Sequence, residues 1–448
     1  MSIPYFQCFH GCEGRYPITQ PIYRCPHCQG LLDVQPDEST LASQKAMPPS
    51  HWKELFDGRY LPANAKWPMN SGVWNKKEWV LPAWPQNSIV SMGEGRTPML
   101  HAKRFGQALG LEQVWIKACG QSPTGSFKDL GMTVLVSVVQ RAIQEGHTKI
   151  RALACASTGD TSASLAAYGA SAGLPVVVLL PRGKISTAQL AQPLASGALV
   201  LALDSDFDGC MALMQRLASQ GIVYLANSMN ALRLEGQKTV AFEITQEMGW
   251  TPPDWIILPS GNLGNAYAIY RGFQWMKDLG LIDRLPRLCA AQAQAANPLY
   301  LAWKAHKNKV EAVKAQPTQA TAIQIGNPVS APRALKALEA MNGIVEQASE
   351  EELAEVAALI DHTGFYVCPH TAVALAALEK MAAHEVIKKS DSVVVLSTAS
   401  GLKFTEFKVN YHEQMVPGVQ SMRANPPIEL PADFDRVMKV LDQKCPLK

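Results

Sequence analysis

From Asp129 onward the apolar positions Leu130, Met132, Val134, Leu135, Val138 and Ile143 recur at roughly helical spacing, which predicts a helix with a broad buried face. Shorter runs rich in Val, Ile, Leu and Ala predict strands at 152–156, 176–180, 199–203, 222–225, 255–258, 288–291 and 392–396. Helical stretches separate most of these strands, and turn signals such as Ala172-Gly-Leu-Pro175 and Thr251-Pro-Pro-Asp254 punctuate them. That alternation predicts α/β architecture with largely parallel sheets. Ligands in such sheets collect at the carboxyl ends of the strands. Residues 48–85 break the pattern, with Trp52, Trp67, Trp74, Trp79 and Trp84 among prolines and little periodicity. Large aromatics need a surface to cover, so this stretch is expected to wrap a domain or to line a subunit interface.

The chain has 448 residues, 47% hydrophobic and 18% charged, as expected of a globular protein with a well-buried core. A net charge of +3 without a basic stripe argues against nucleic acid or an anionic membrane as a bulk partner. The first residues carry neither a basic n-region nor a long apolar core, so no secretory signal is expected and a cytoplasmic location is. Ten cysteines are too sparse for a disulfide scaffold. Four of them cluster: Cys8, Cys12, Cys25 and Cys28 read C-x3-C-x12-C-x2-C. Two such pairs can converge on a tetrahedral zinc ion with a purely structural role, or can serve as small buried hydrophobes without metal.

Four segments carry candidate chemistry. In Ser122-Pro-Thr-Gly-Ser-Phe-Lys-Asp-Leu-Gly131 a lone lysine, Lys128, stands where turn-forming residues give way to the predicted helix. Helix amides disfavour a second positive charge there, so the amine can lose its proton and attack an aldehyde. A structural lysine on a loop is the alternative. Ser157-Thr-Gly-Asp-Thr-Ser162 follows a strand and offers hydroxyls and amides to an anion, or an ordinary helix cap. Pro259-Ser-Gly-Asn-Leu-Gly-Asn265 follows the strand at 255–258 and suits a phosphate. It lacks both the P-loop lysine and the dinucleotide glycine spacing. Asn227-Ser-Met-Asn-Ala-Leu-Arg-Leu-Glu-Gly-Gln-Lys238 presents Arg233 either to an anion or to a solvated Arg/Glu pair.

Together, Ser126-Phe-Lys128, the Ser157–Thr161 loop and Gly261-Asn-Leu-Gly-Asn265 resemble the lysine, substrate-carboxylate and phosphate-cup motifs of fold type II pyridoxal-phosphate enzymes, the tryptophan synthase β-like class. Within that class the chain resembles threonine synthases of the plant-like type. Ser71–Pro82, Thr124–Val136, Cys155–Ser162, Asp206–Cys210, Leu234–Thr239, Ala322–Gly326, Cys368–Thr371 and Ser397–Phe404 carry this likeness, which covers most of the chain from about Trp52. The resemblance implies two α/β domains in a catalytic region at 96–448, the smaller inserted at about 131–245. A cysteine-rich ribbon at 1–34 and a wrapping extension at 35–95 precede them. It implies a carbon–oxygen lyase acting on phosphates, which converts O-phospho-L-homoserine and water to L-threonine and phosphate as the last step of threonine biosynthesis, in a homodimer.

By the same likeness Lys128 binds pyridoxal 5'-phosphate covalently and shuttles protons. Phe127, Asp160, Gly261, Asn262, Leu263, Gly264, Asn265 and Thr398 line the cofactor, with the Thr398 hydroxyl facing the ring nitrogen. Ser157, Thr158 and Thr161 take the substrate carboxylate. Lys184, Asn227, Ser228, Asn230 and Arg233 take its phosphate. The family pattern Ser-Thr-Ala-His-Gly-Leu-Lys-Phe is broken at one position, where this chain has Ser400. Threonine dehydratase, which needs no second phosphate site, and a non-catalytic regulatory relative are the rival readings.

Overall fold

The computed structural model describes residues 3–64, 66–157, 159–183 and 187–445. Two largely parallel sheets form the body of the described chain. The larger has six strands in the spatial order Ile344–Ala348, Arg287–Ala293, Trp255–Pro259, Ser392–Leu396, Gln113–Lys117 and Met99–His101. Every neighbouring pair is parallel except the last. The smaller sheet runs Leu199–Leu203, Val176–Pro181, Ala152–Ala156 and Val223–Leu225, all parallel. Helices cover both faces of a parallel sheet, which is why Trp255–Pro259 and Ala152–Ala156 are buried at every position.

All seven predicted strands are present. Three others, Gln113–Lys117, Met99–His101 and Ile344–Ala348, carry Gln, His, Lys or Glu among their apolar residues, and two of the three are edge strands. An edge strand keeps polar residues toward water and so gives no continuous apolar run.

The lysine helix, Lys128–Gln144, is the central element, with twelve buried residues. The helix Leu232–Gln237 crosses it at unusually close range. A Cβ on Gly236 would lie 1.6 Å from the Leu130 carbonyl oxygen, and one on Gly131 would lie 2.8 Å from that of Arg233. Only glycines permit this approach, which brings Arg233 beside the start of the lysine helix.

Four of the five tryptophans of the wrapping stretch, Trp52, Trp74, Trp79 and Trp84, are at most 4% exposed, whereas Trp67 is exposed. Trp74 donates through Nε1 to Thr133 Oγ1 at 2.7 Å, and Trp79 meets Phe242 edge-on at 4.9 Å. These rings therefore seal onto the body of their own chain. At the N-terminus Tyr5–Cys8 pairs antiparallel with both Tyr16–Pro17 and Leu32–Gln35, which makes a three-stranded ribbon. No helix among the described residues is long and apolar enough to cross a membrane.

Candidate active site

Residues far apart in sequence meet where the lysine loop pairs with the chain after strand Ser392–Leu396. Phe127 N–H donates to the Thr398 carbonyl and Ser400 N–H to the Gly125 carbonyl, both at 2.9 Å. Lys128 and Thr398 are thereby held as neighbours across a short antiparallel bridge. The loop has its own brace: the buried Asp129 carboxylate accepts from Thr124 N–H at 2.7 Å and from Thr124 Oγ1 at 2.6 Å. Burial pushes the Asp129 carboxyl up to about 6 against these hydrogen bonds.

Desolvation, followed by the nearby Arg233 guanidinium, lowers the Lys128 ammonium to about 7, with Asp160 acting in the opposite sense and Lys403 reinforcing the fall. A substantial share of the amine is thus uncharged near neutrality, which a nucleophilic lysine requires. Its Nζ lies 3.7 Å from the centroid of the Phe127 ring.

The Gly261–Asn265 turn joins strand Trp255–Pro259 to the helix Gly264–Asp278. Leu263 adopts the left-handed conformation, φ +67°. The N–H groups of 261, 262 and 263 meet no acceptor among the described residues, and the buried Oδ1 of Asn265 has no partner there either. Free amides in a turn that contains a left-handed residue, at the positive end of a helix, fit a phosphate. The cup touches the Asn227–Lys238 segment through Asn262 Nδ2, which donates to Ser228 Oγ at 3.4 Å.

In the Asn227–Lys238 segment the solvated Arg/Glu pair does not form. Arg233 is 2% exposed, and Glu235 pairs with Lys238 instead. Arg233 donates through one terminal nitrogen to the Ala226 carbonyl at 3.1 Å, while its Nε has no partner. No carboxylate lies in ion-pair range of it among the described residues. Desolvation lowers its guanidinium to about 10. A buried cation with no counter-charge fits a site that receives an anion.

Asn227 and Asn230 are already engaged. Asn227 exchanges hydrogen bonds with both backbone groups of Ala156, and Asn230 bonds the Leu225 carbonyl, the Tyr224 hydroxyl and Leu232 N–H. They shape the loop around Arg233 and Ser228. Thr161 is buried in the first turn of the helix Asp160–Ser171, and the half-buried Ser157 accepts from Gly159 N–H at 3.4 Å. Thr158 and Lys184 lie outside the described residues.

Other contacts escape a reading of single motifs because their partners are distant in the chain. Lys403 Nζ pairs with Asp160 at 2.7 Å and donates to the Thr124 carbonyl at 3.1 Å, tying the two halves of the cleft together. Gln192 Nε2 donates to the same carbonyl at 2.9 Å. Behind Thr398, whose N–H donates to Thr371 Oγ1 at 3.3 Å, stand Cys368 and His370. Burial raises the Cys368 thiol, but hydrogen bonding to His370 and Thr371 outweighs it and brings the thiol down to about 7. Ser400 Oγ accepts from Leu402 N–H at 3.3 Å. A cleft of about 330 Å³ lies elsewhere, between the ribbon and the helix Gly264–Asp278.

Residues 90–399 match the family described as pyridoxal-phosphate dependent enzyme. The chain is 52% identical over 430 residues to threonine synthase 2, chloroplastic, of Arabidopsis thaliana, covering 96% of this chain and 82% of that protein. It is 35% identical over 433 residues to threonine synthase of Methanocaldococcus jannaschii, covering 96% and 98%. Among solved structures, threonine synthase from Escherichia coli superposes with a TM-score of 0.65 at 20% identity, over 98% of this chain and 99% of that one. A fungal L-serine ammonia-lyase from Rhizomucor miehei reaches 0.59 at 19% identity and leaves 30% of this chain uncovered, against the 70% it spans. The last two likenesses bear on the fold; the two sequence relatives and the matched family carry the assignment, and the chain belongs to the threonine synthase family of pyridoxal-phosphate dependent enzymes.

Proposed function

We propose that the protein converts O-phospho-L-homoserine and water to L-threonine and phosphate, and that the buried, unpaired Arg233 next to Lys128 is the observation that carries this reading. A fold type II enzyme acting on serine or threonine has no second phosphate to hold. Here one turn suits a cofactor phosphate through its amides, and a separate guanidinium suits a phosphate on the substrate. The chemistry supplied by pyridoxal 5'-phosphate, once bound, is an electron sink for the carbanions at the substrate α and β carbons.

Each residue then has a distinct task. The Lys128 amine holds the cofactor and moves protons at the two carbons, a task for which a group titrating near 7 is suited. Thr398 would offer the cofactor a neutral hydroxyl, and Phe127, Asp160 and the 261–265 turn would complete the residues that hold it. Ser157, Thr158 and Thr161 orient the substrate carboxylate at the start of the helix Asp160–Ser171. Arg233, with Ser228 and Lys184, holds the γ-phosphate and stabilises the charge that gathers on it as it leaves. Lys403 and Gln192, bonded to the Thr124 carbonyl, keep the cleft narrow and bulk water out.

The same reading places the enzyme in the cytoplasm as a homodimer, with residues 131–245 as the smaller domain and structural zinc on the four clustered cysteines. Phosphate and threonine should appear in equal amounts when phosphohomoserine is supplied. Formation of a ketoacid without threonine would overturn the assignment in favour of a dehydratase.

A further inference from the structure

The cysteine ribbon stands outside the chemistry, yet its contacts run straight to the phosphate cup. The ligand atoms of Cys8, Cys12, Cys25 and Cys28 all lie within 4.8 Å of one another. Two tight turns set them up. Gly11 N–H donates to the Cys8 carbonyl at 3.0 Å, and Gln29 N–H to the Cys25 carbonyl at 2.9 Å. Gly30 N–H points at Cys28 Sγ at 3.4 Å. Four thiols in this arrangement fill every position of a tetrahedral site, so a metal there has no open coordination position for catalysis.

What the ribbon does hold is Asp33, 5% exposed on strand Leu32–Gln35, which pairs with the strand that ends at Cys8. One Asp33 oxygen accepts from Arg333 at 2.6 and 3.1 Å. The other accepts from the Tyr267 hydroxyl at 2.6 Å, with Arg271 at 3.6 Å. Arg333, fully buried, also donates to the Leu32 carbonyl. Tyr267 and Arg333 belong to the first turns of two helices, Gly264–Asp278 and Ala331–Ala340. The first opens at the cup. The second starts just after Ser330, whose N–H donates to the Asn262 carbonyl at 3.2 Å, so it braces the cup from behind. On the other side Tyr23, two residues before Cys25, accepts from Leu225 N–H at 2.9 Å, at the end of the strand that feeds the Asn227–Arg233 loop.

We infer that a tetrathiolate zinc site locks the ribbon, and that through Asp33 the locked ribbon holds the phosphate cup in its binding geometry. A segment this small cannot order itself on its own core, so metal binding supplies its rigidity. The buried carboxylate passes that rigidity to both helices, because each of its two oxygens is engaged by a residue of the cup's frame. Asp33 is a positioning residue, not a catalytic one. The inference rests on the 261–265 turn being the cofactor-phosphate site.

The test uses the full-chain enzyme. Elemental analysis of the isolated protein should find about one zinc per chain. Absence of metal together with disulfides among these four cysteines would overturn the inference. The enzyme, resolved of cofactor and still zinc-loaded, is then titrated with pyridoxal 5'-phosphate and with pyridoxal, which has no phosphate. Asp33→Asn should weaken the phosphorylated form about tenfold, the order expected when a supporting hydrogen-bond partner is lost, and leave pyridoxal unchanged. Equal loss for both, or loss for neither, would refute the role of Asp33. Equal affinity of the unmodified enzyme for the two would instead refute the cup itself. Cys25→Ser should lose both zinc and the preference for the phosphorylated form; should that variant fail to fold, Asp33→Asn still decides the matter.

Discussion

The turn at 261–265 and the loop at 227–233 both suit an anion, but they are built on opposite principles. The turn carries no formal charge and works through backbone N–H groups, a left-handed Leu263 and a helix dipole. The loop works through one guanidinium, buried and unpaired. Neutral amides can hold a resident phosphate without a charge that would repel the lysine next door. A fixed positive charge is better matched to a phosphate whose charge grows as its bond to carbon breaks. Arg233 has a second effect, because it also lowers the Lys128 ammonium. Under the proposed function, the group that would receive the leaving phosphate also helps to free the amine that would move protons.

Substitutions can separate the two devices. The largest effect is expected from Lys128→Ala, which removes the amine both regions serve; turnover should fall by about 10⁴-fold or more, with loss of the visible imine absorbance. Turnover retained in that variant would break the assignment. Arg233→Met should keep cofactor absorbance while lowering kcat for phosphohomoserine by roughly 10²–10³-fold, the cost of removing a donor aimed at developing charge. Gly261→Val attacks the other device: a Cβ at this position would stand 2.9 Å from Ile323 Cα. That substitution should weaken binding of the phosphorylated cofactor by about tenfold, read by equilibrium titration, at a cost of about 1–3 kcal/mol for forced packing.

The pH dependence is the next smaller effect. With the amine at about 7, its reaction with an added aldehyde in the cofactor-resolved enzyme should level off above neutrality and fall tenfold per unit at lower pH. In Arg233→Met the midpoint should move up, because a neighbouring positive charge is gone. An unmoved midpoint would show that the two regions are electrostatically independent. Ser400→His should matter least. It removes the Ser400 Oγ acceptor from Leu402 N–H and should lower stability by about 0.5–2 kcal/mol, seen as a small drop in Tm.

Much of this was readable along the chain. The seven strands were visible because both faces of a parallel sheet are buried, which writes continuous apolar runs into the sequence. The lysine, the cup and the Ser157–Thr161 loop were visible because each is a local turn with its own residue requirements. The strands Gln113–Lys117 and Ile344–Ala348 were not, since polar residues interrupt them. Arg233 itself was ambiguous: the sequence Arg233-Leu-Glu235 reads equally as a surface ion pair, and only the close crossing at Gly131 and Gly236 buries it. Asn227 and Asn230 were read as phosphate contacts; in the fold their amides bond the backbone of Ala156 and of Leu225, at the ends of two strands. Lys403 and Asp160 are 243 residues apart along the chain, the difference between their two numbers, so no local pattern announces their pairing.

The sequence by itself determined the architecture and the family and singled out Lys128 as the candidate amine, because those depend on periodicity and on ordered local motifs. The tertiary structure alone decided which charges are left unpaired, which amides are left free and which ribbon carboxylate braces the cup. These depend on what each buried group meets, and burial is a property of the packed chain: the same arginine is an ordinary solvated cation at the surface and an anion site when every carboxylate is kept out of its reach.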